Sequence, residues 1–299
     1  MDVRQLKFFL AVVDHGGFSK AAEHLMIAQP SLSQAIAAFE RDLGSPLFHR
    51  VGRGVVLSEA GKTLVGPARV VLRDVDEAAA AMRELKGLRG GRLDLITMPS
   101  PGMEPLTTIL TAFAVGHPDV TINAEAGFTP EEILSAVRSG ACEIGILGSP
   151  EPIRAADLTV VALESQPLVL ISGPDEPTLD GATVRREDLD GYRLIVSQRG
   201  SLMRALVDDV IAEGTRITVV AEVAHRTSIL PMVLKGLGRA VMPSSWTESA
   251  RRAGATVQRI VPESYLHVAA VSRRDHLTAP ATALMSQAKK YRAQSGGDG

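Results

Sequence analysis

Residues 18–61 read FSKAAEHLMIAQPSLSQAIAAFERDLGSPLFHRVGRGVVLSEAG, and the spacing of apolar side chains here decides how the rest of the chain divides. From Pro30, which suits a first helical turn, Leu32, Ile36, Phe39 and Leu43 keep helical intervals until Gly44 ends them. A shorter helix precedes it, with Ser19 expected as N-cap and Ala21, Ala22 and Leu25 apolar, and the chain turns at 26–29. Two short helices and a tight turn predict a helix-turn-helix. On either side of Gly52-Arg53-Gly54, the pieces Leu47–Arg50 and Val55–Leu57 predict a two-stranded wing. Upstream, Leu6, Phe9, Val12 and Val13 share one face of a helix over 4–14, stopped by His15-Gly16-Gly17.

Downstream, Ser58 and Glu59 open a long helix. Leu57, Leu64, Val71, Ala78 and Leu85 recur every seven residues, with Ala68, Val75 and Met82 interleaved, which is a coiled-coil seam. The seam needs a partner. A helix packed on its own head is one reading, but the flanking Arg69, Arg73, Asp74, Asp76 and Glu77 favour a second subunit, with Leu64, Ala68, Val71, Val75, Ala78, Met82 and Leu85 as dimerisation residues. Pro67 is expected to kink the helix. Gly87–Gly91 reads as a hinge.

Beyond the hinge, strand patterns at 92–97, 120–126, 143–147, 159–163, 168–172, 194–197, 218–223, 239–242 and 266–272 alternate with helical ones at 103–116, 130–139, 201–213, 227–236 and 278–292. This predicts βαβ units with mostly parallel sheets. About two hundred residues of this kind suit two lobes. The expected fold is α+β multidomain: a winged helix-turn-helix over 1–58, a linker and dimerisation helix with hinge over 59–90, and a two-lobed α/β unit over 91–299. Lobe I takes about 91–162 and 267–295, lobe II about 163–266.

The 299 residues are 45% hydrophobic and 22% charged, the balance of a globular chain. A single cysteine, Cys142, excludes an internal disulfide and a thiolate zinc site. The N-terminus does not resemble a signal peptide and no eighteen apolar residues run together, so no membrane partner and a cytoplasmic location are expected. The net charge of −2 divides unevenly: residues 1–90 hold 12 basic and 10 acidic side chains, the remainder 20 and 24. The sign suits a DNA-binding head.

The stretch 18–61 resembles the winged helix-turn-helix of the LysR-type transcriptional regulators. LDLITMPS (93–100), PLTTILTAFAVGHPDVTI (105–122) and ILSAVRSGACEIGIL (133–147) resemble the opening of that family's effector domain, in order and spacing. The resemblance implies a linker helix for dimerisation, an effector domain like a type 2 periplasmic binding protein, and tetramers as a common assembly. Its implied partners are double-stranded DNA, a small-molecule effector and RNA polymerase. Members often carry Arg and Gln where this chain has Gln34 and Ala35, and Arg or Lys at Ala37, which bears on the DNA sequence read.

A recognition helix meets base edges with its N-terminal end. Gln29, Pro30, Ser31, Ser33 and Gln34 lie there, the glutamines suited to adenine and the serines to bases or phosphates. Arg50 and Arg53 flank the wing tip and suit phosphate or minor-groove contacts. In open α/β sheets ligands collect where strands lead into helices. That places Ser100 and Pro101, Thr129, Ser149, Ser197, Arg199 and Ser201, and with them His225 and Thr227, as effector candidates. Hydroxyls and amides at helix starts favour an anion such as a carboxylate, although Ser100, Thr129 and Ser201 also read as plain N-caps.

The histidines, at 15, 24, 49, 117, 225, 267 and 276, show no metal spacing. No nucleophile elbow, phosphate loop or dinucleotide fingerprint is present, and Gly236-Leu237-Gly238 lacks the rest of one. No cofactor, metal or catalytic residue is expected. The rival reading is a solute-binding protein or small-molecule enzyme whose N-terminal helices serve assembly; another is a regulator that needs no ligand.

Overall fold

The computed structural model describes residues 1–51, 54–84, 91–177 and 181–295, with backbone alone at 50, 77, 80–84 and 295. The head begins with α1 (Val3–Asp14), where the Asp2 carboxylate accepts from Gln5 N at 2.8 Å and Gln5 Oε1 accepts from Asp2 N at 2.8 Å, a reciprocal cap. In α2 (Phe18–His24) the cap is Gly17; Ser19 lies within the first turn and is exposed, contrary to the expected N-cap. A turn through Met26, at φ 54, leads into α3 (Gln29–Leu43), which Gly44 closes in the left-handed region at φ 68. Leu6, Phe9 and Val12 of α1, Ala21 and Ala22 of α2 and Leu32, Ile36 and Phe39 of α3 bury into one core.

The wing is an antiparallel hairpin of β1 (Phe48–Val51) and β2 (Gly54–Leu57). Glu40 of α3 holds it by accepting from Leu47 N at 2.7 Å and Phe48 N at 3.1 Å. Ser58 then caps α4 (Glu59–Glu84), accepting from Gly61 N at 2.9 Å and donating to Pro46 O at 2.6 Å. A side chain at Gly61 would place its Cβ 2.2 Å from Leu47 O, so glycine lets α4 leave close against the wing.

The helix α4 continues through Pro67. Its first half packs on its own head: Val65 and Ala68 are buried in the head core, with Leu64 and Leu72 against it. Ala68, 1% exposed, is therefore a core residue and not a seam residue. One to three turns on, Val71, Val75 and Ala78 are exposed. The side chain of Met82, together with Leu85, the residues 87–90 read as a hinge, and the Arg53 position, lies outside the described residues.

The remaining residues build two three-layer lobes on a shared sheet. Lobe I holds β3 (Gly91–Thr97), β4 (Val120–Ala126), β5 (Ile144–Ser149), β12 (Tyr265–Arg273) and the first part of β6 (Leu158–Ser172), in the order β4-β3-β5-β12-β6. The helices α6 (Leu106–Gly116) and α11 (Ala279–Ser295) cover one face and α7 (Pro130–Arg138) the other. In lobe II the end of β6 pairs with β10 (Arg239–Pro243) and β11 (Thr256–Val261); β8 (Arg193–Ser197), β9 (Thr218–Val223) and β7 (Thr183–Arg185) complete it. Its faces carry α8 (Leu202–Ala212) on one side and α9 (Ile229–Leu234) with α10 (Thr247–Arg252) on the other.

Three readings are corrected here. The strands expected at 159–163 and 168–172 are one continuous β6, so the lobe boundary expected at 162/163 falls inside a strand. The sheets are less parallel than expected, because β12 runs antiparallel to β5 and β6, and β6 to β10 and β11. The helix expected over 103–116 breaks at an extended Glu104 before Pro105 into α5 (Pro99–Met103) and α6, since a residue before proline disfavours helical geometry. The strands β7 and β11 and the helix α10 went unread.

Candidate nucleic-acid interface and effector cleft

The buried positions of α3, Leu32, Ile36 and Phe39, turn the helix so that Gln29, Pro30, Ser31 and Gln34 face solvent, with Ser33 half-buried. Gln29 Nε2 donates to Ser33 Oγ at 2.8 Å, which fixes the amide at the helix start. The cap residue Ala28 gives no side-chain hydrogen bond, so this end keeps a partial positive charge toward whatever it meets. On the wing, Arg50 pairs with Val55 through the backbone, while its side chain and all of Arg53 lie outside the described residues. The arrangement suits one helix end in a major groove.

The effector candidates lie at or just after the C-terminal ends of parallel strands. In lobe I, Ser100 and Pro101 follow β3, Thr129 follows β4 and Ser149 ends β5; in lobe II, Ser197 ends β8, Arg199 and Ser201 follow it, and His225 and Thr227 follow β9. Across the lobes, α5, with Ser100 and Pro101, packs against the 3-10 turns Arg226–Ser228, which holds Thr227, and Ser244–Trp246. Trp246 Nε1 donates to Ser100 Oγ at 3.5 Å across this junction. The junction is packed closed, with Ser100 and Trp246 both buried, and it lies between the lobes near strand ends, the usual place for a ligand in open α/β sheets.

The candidates differ in what they do there. Thr129 caps α7 reciprocally with Glu132, the plain capping role. Ser201 caps α8 and shares a 2.6 Å hydrogen bond with Ser197, both buried. Ser100 is no cap; it sits one residue inside α5, fully buried with Pro101 beside it. Ser149 is half-buried and accepts from Glu151 N at 3.4 Å, whereas Arg199, His225 and Thr227 are exposed.

Sequence reading missed Ser245, Trp246 and Arg226. The Ser245 hydroxyl is buried without a hydrogen-bond partner among the described residues, and burial pushes the Arg226 guanidinium below its ordinary pKa. The missed signal was a further strand-to-helix junction, Pro243-Ser244-Ser245-Trp246, of the same kind as those chosen. A groove of about 570 Å³ opens between the lobes, lined by Glu104, Thr108 and Glu164 on one side and Ser244, Ser245 and Arg251 on the other.

Among the described residues, no three His, Cys, Asp or Glu side chains converge as a metal site, and no helix is long and apolar enough to cross a membrane. Cys142 is buried, and its thiol is pushed up to about 12, chiefly by burial with Glu125 and Asp94 adding to it. That keeps the sulfur from being a nucleophile at neutral pH.

A winged helix-turn-helix carried on a long helix beside a two-lobed α/β unit defines a DNA-binding transcriptional regulator with an effector-binding domain. The sequence matches the bacterial regulatory helix-turn-helix of the lysR family over residues 3–62 and the LysR substrate binding domain over 86–293. The chain belongs to the LysR family. It is 31% identical over 243 residues to the HTH-type transcriptional regulator CbbR of Rhodospirillum rubrum, covering 79% of this chain and 77% of that one. To a probable RuBisCO transcriptional regulator of Synechocystis it is 28% identical over 249 residues, 82% of this chain and 72% of the relative.

Solved structures share the fold. A full-length OxyR variant from Pseudomonas aeruginosa superposes with a TM-score of 0.68 at 22% identity, covering 97% of this chain and 94% of that one. Full-length CbnR complexed with its target DNA gives 0.66 at 23%, covering 97% and 100%. Both curated relatives are named as regulators and none of these names denotes an enzyme.

Proposed function

We propose that two copies of the chain pair through the exposed stripe of α4, at Val71, Val75 and Ala78, and present two α3 helices to successive half-sites on a duplex. In this reading Gln29 and Gln34 read bases, Ser31 and Ser33 mix base and phosphate contacts, and Arg50 and Arg53 hold the backbone beside them. The observation that carries it is the exposed, pre-ordered N-terminal end of α3, with Gln29 fixed on Ser33. Work on DNA places the protein in the cytoplasm, and dimers pairing further into tetramers would extend the footprint.

The effector is a small anion, a carboxylate by preference, held at the interlobe junction of Ser100, Trp246 and the Arg226 turn. It shifts the relative placement of the heads by favouring one lobe arrangement, which requires unequal affinity for the two. A footprint on the DNA flanking the gene, repeated with candidate metabolites, is the test. Site-specific protection with Kd on the order of 10⁻⁸ to 10⁻¹¹ M is expected; only sequence-blind binding would sink the reading. Deleting residues 1–60 separates it from a solute-binding protein, since the deletion should abolish protection while sparing ligand binding.

The full burial of Ser100 and the Ser197–Ser201 pairing favour a second reading, a closed cleft that needs no ligand. Thermal shift against a carboxylate panel distinguishes them, because a cleft ligand raises stability with its concentration.

A further inference from the structure

On α4, Arg69 and Arg73 stand one turn apart and hold different parts of the molecule. Arg69 Nη2 bonds to the Asp14 carboxylate at the end of α1, in the head. Arg73 Nη2 donates at 2.6 Å to the Gly140 carbonyl, in the turn that follows α7 in lobe I. The other Arg73 terminal nitrogen lies 4.0 Å from Glu143, whose carboxylate is 1% exposed and also accepts from Thr278 N at 2.9 Å and Thr278 Oγ1 at 3.0 Å. The turn is further held by Arg273, which donates to Val137 O at 3.2 Å.

The surfaces come close at two glycines, of which only Gly140 is demanded by the geometry. A Cβ on Gly66 of α4 would lie 3.8 Å from Ser139 O, and one on Gly140 would lie 3.6 Å from Arg69 Cβ and 2.9 Å from Arg273 Nη1. Gly140 also has φ +70, a conformation other residues resist. The junction is incompletely paired: among the described residues Arg69 Nε, Arg73 Nη1 and Arg273 Nε are buried without hydrogen-bond partners. Unpaired buried donors disfavour the docked form and so favour release.

The other end of α7 is capped by Thr129, just after β4 in lobe I. Ile133 and Val137 are fully buried beneath the sheet, so the helix moves as a rod with β3 and β5. We propose that Arg73 and the Ser139–Gly140 turn form a releasable latch between α4 and lobe I, through which the placement of the head follows lobe I. The use of the latch in regulation rests on the function proposed above, but its existence does not.

Cysteines introduced together as Gly66→Cys and Ser139→Cys in the full chain test it with neither DNA nor effector present. An intrachain disulfide, read from the mass of the non-reduced monomer, should form readily. Adding Arg73→Ala should slow its formation about tenfold or more, the scale of a lost charge-assisted hydrogen bond, and Arg73→Lys, still able to donate to Gly140 O, should recover most of the rate. Equal rates in all three chains would overturn the latch. Hydrogen exchange on the protein without added cysteines supplies a second reading: Arg73→Ala should speed exchange at 139–143 and leave α1 to α3 unchanged. Unchanged exchange at 139–143 would overturn the latch as well. If the alanine variant exchanges rapidly everywhere, the lysine variant decides by its rate. A sequence-blind footprint from all variants would count against the regulator reading alone.

Discussion

Gln34 is exposed on the first turns of α3 and its side chain makes no hydrogen bond among the described residues, whereas the Gln29 amide already donates to Ser33. Gln34→Ala should weaken binding to the footprinted site by about 1–3 kcal/mol while leaving random-sequence affinity nearly unchanged, because one bidentate base contact is worth that much. Fluorescence anisotropy on the two duplexes checks it; equal losses on both would assign Gln34 to the backbone. Cys142 should resist native alkylation and react only after unfolding, as a thiol held near 12 requires. Asp190 is held down to about 2 from its ordinary 3.8, first by its side-chain hydrogen bonds from Arg216, at 2.6 and 3.2 Å, which join the start of β8 to the start of β9. A carboxylate with a lowered folded-state pKa stabilises above its unfolded value and loses that contribution as pH falls toward 2. Asp190→Asn should therefore flatten the loss of stability between about pH 4 and pH 2 in urea melts, with no change in slope near neutrality.

Among the elements, the seven-residue repeat on α4 was legible as a pattern but not as a destination. Leu64 and Ala68 satisfy the same spacing as Val71 and Val75, yet the first pair meets the head core and the second meets solvent; periodicity reports that a face is apolar, and only packing decides what covers it. Substituting Val75→Glu should raise the dimer dissociation constant by at least about tenfold, since a charge in an apolar seam must be desolvated. Sedimentation velocity reads this, and Ala68→Glu should instead destabilise the monomer. The helix-turn-helix and the wing were legible because glycine, proline and helical spacing agree there. The strand β6 was split in reading because Glu164, Ser165, Gln166 and Pro167 look like a loop, although Gln166 is buried and bonds to Glu104 O and Glu164. The hydroxyls read at strand ends have different tasks in the fold: Thr129 and Ser201 take the capping role that their type also allowed, while Ser100 meets Trp246.

At the scale of the whole molecule, an almost neutral chain that binds a polyanion must do so with a local set of charges. The logarithm of its DNA affinity should fall linearly with the logarithm of salt concentration, and removing Arg50 should reduce that slope by about one. Titrations from about 50 to 200 mM salt measure it; an unchanged slope would place Arg50 away from phosphates. The strand β6 has a consequence for anyone recombining regulators of this kind. Because Leu158–Ser172 serves lobe I over one half of its length and lobe II over the other, neither lobe is a portable module. A chimaera that grafts a foreign ligand specificity by exchanging the second lobe has to splice within a single strand near Pro167, and again near Ser264 before β12. Both sutures must preserve backbone register, or every side chain beyond them turns to the wrong face.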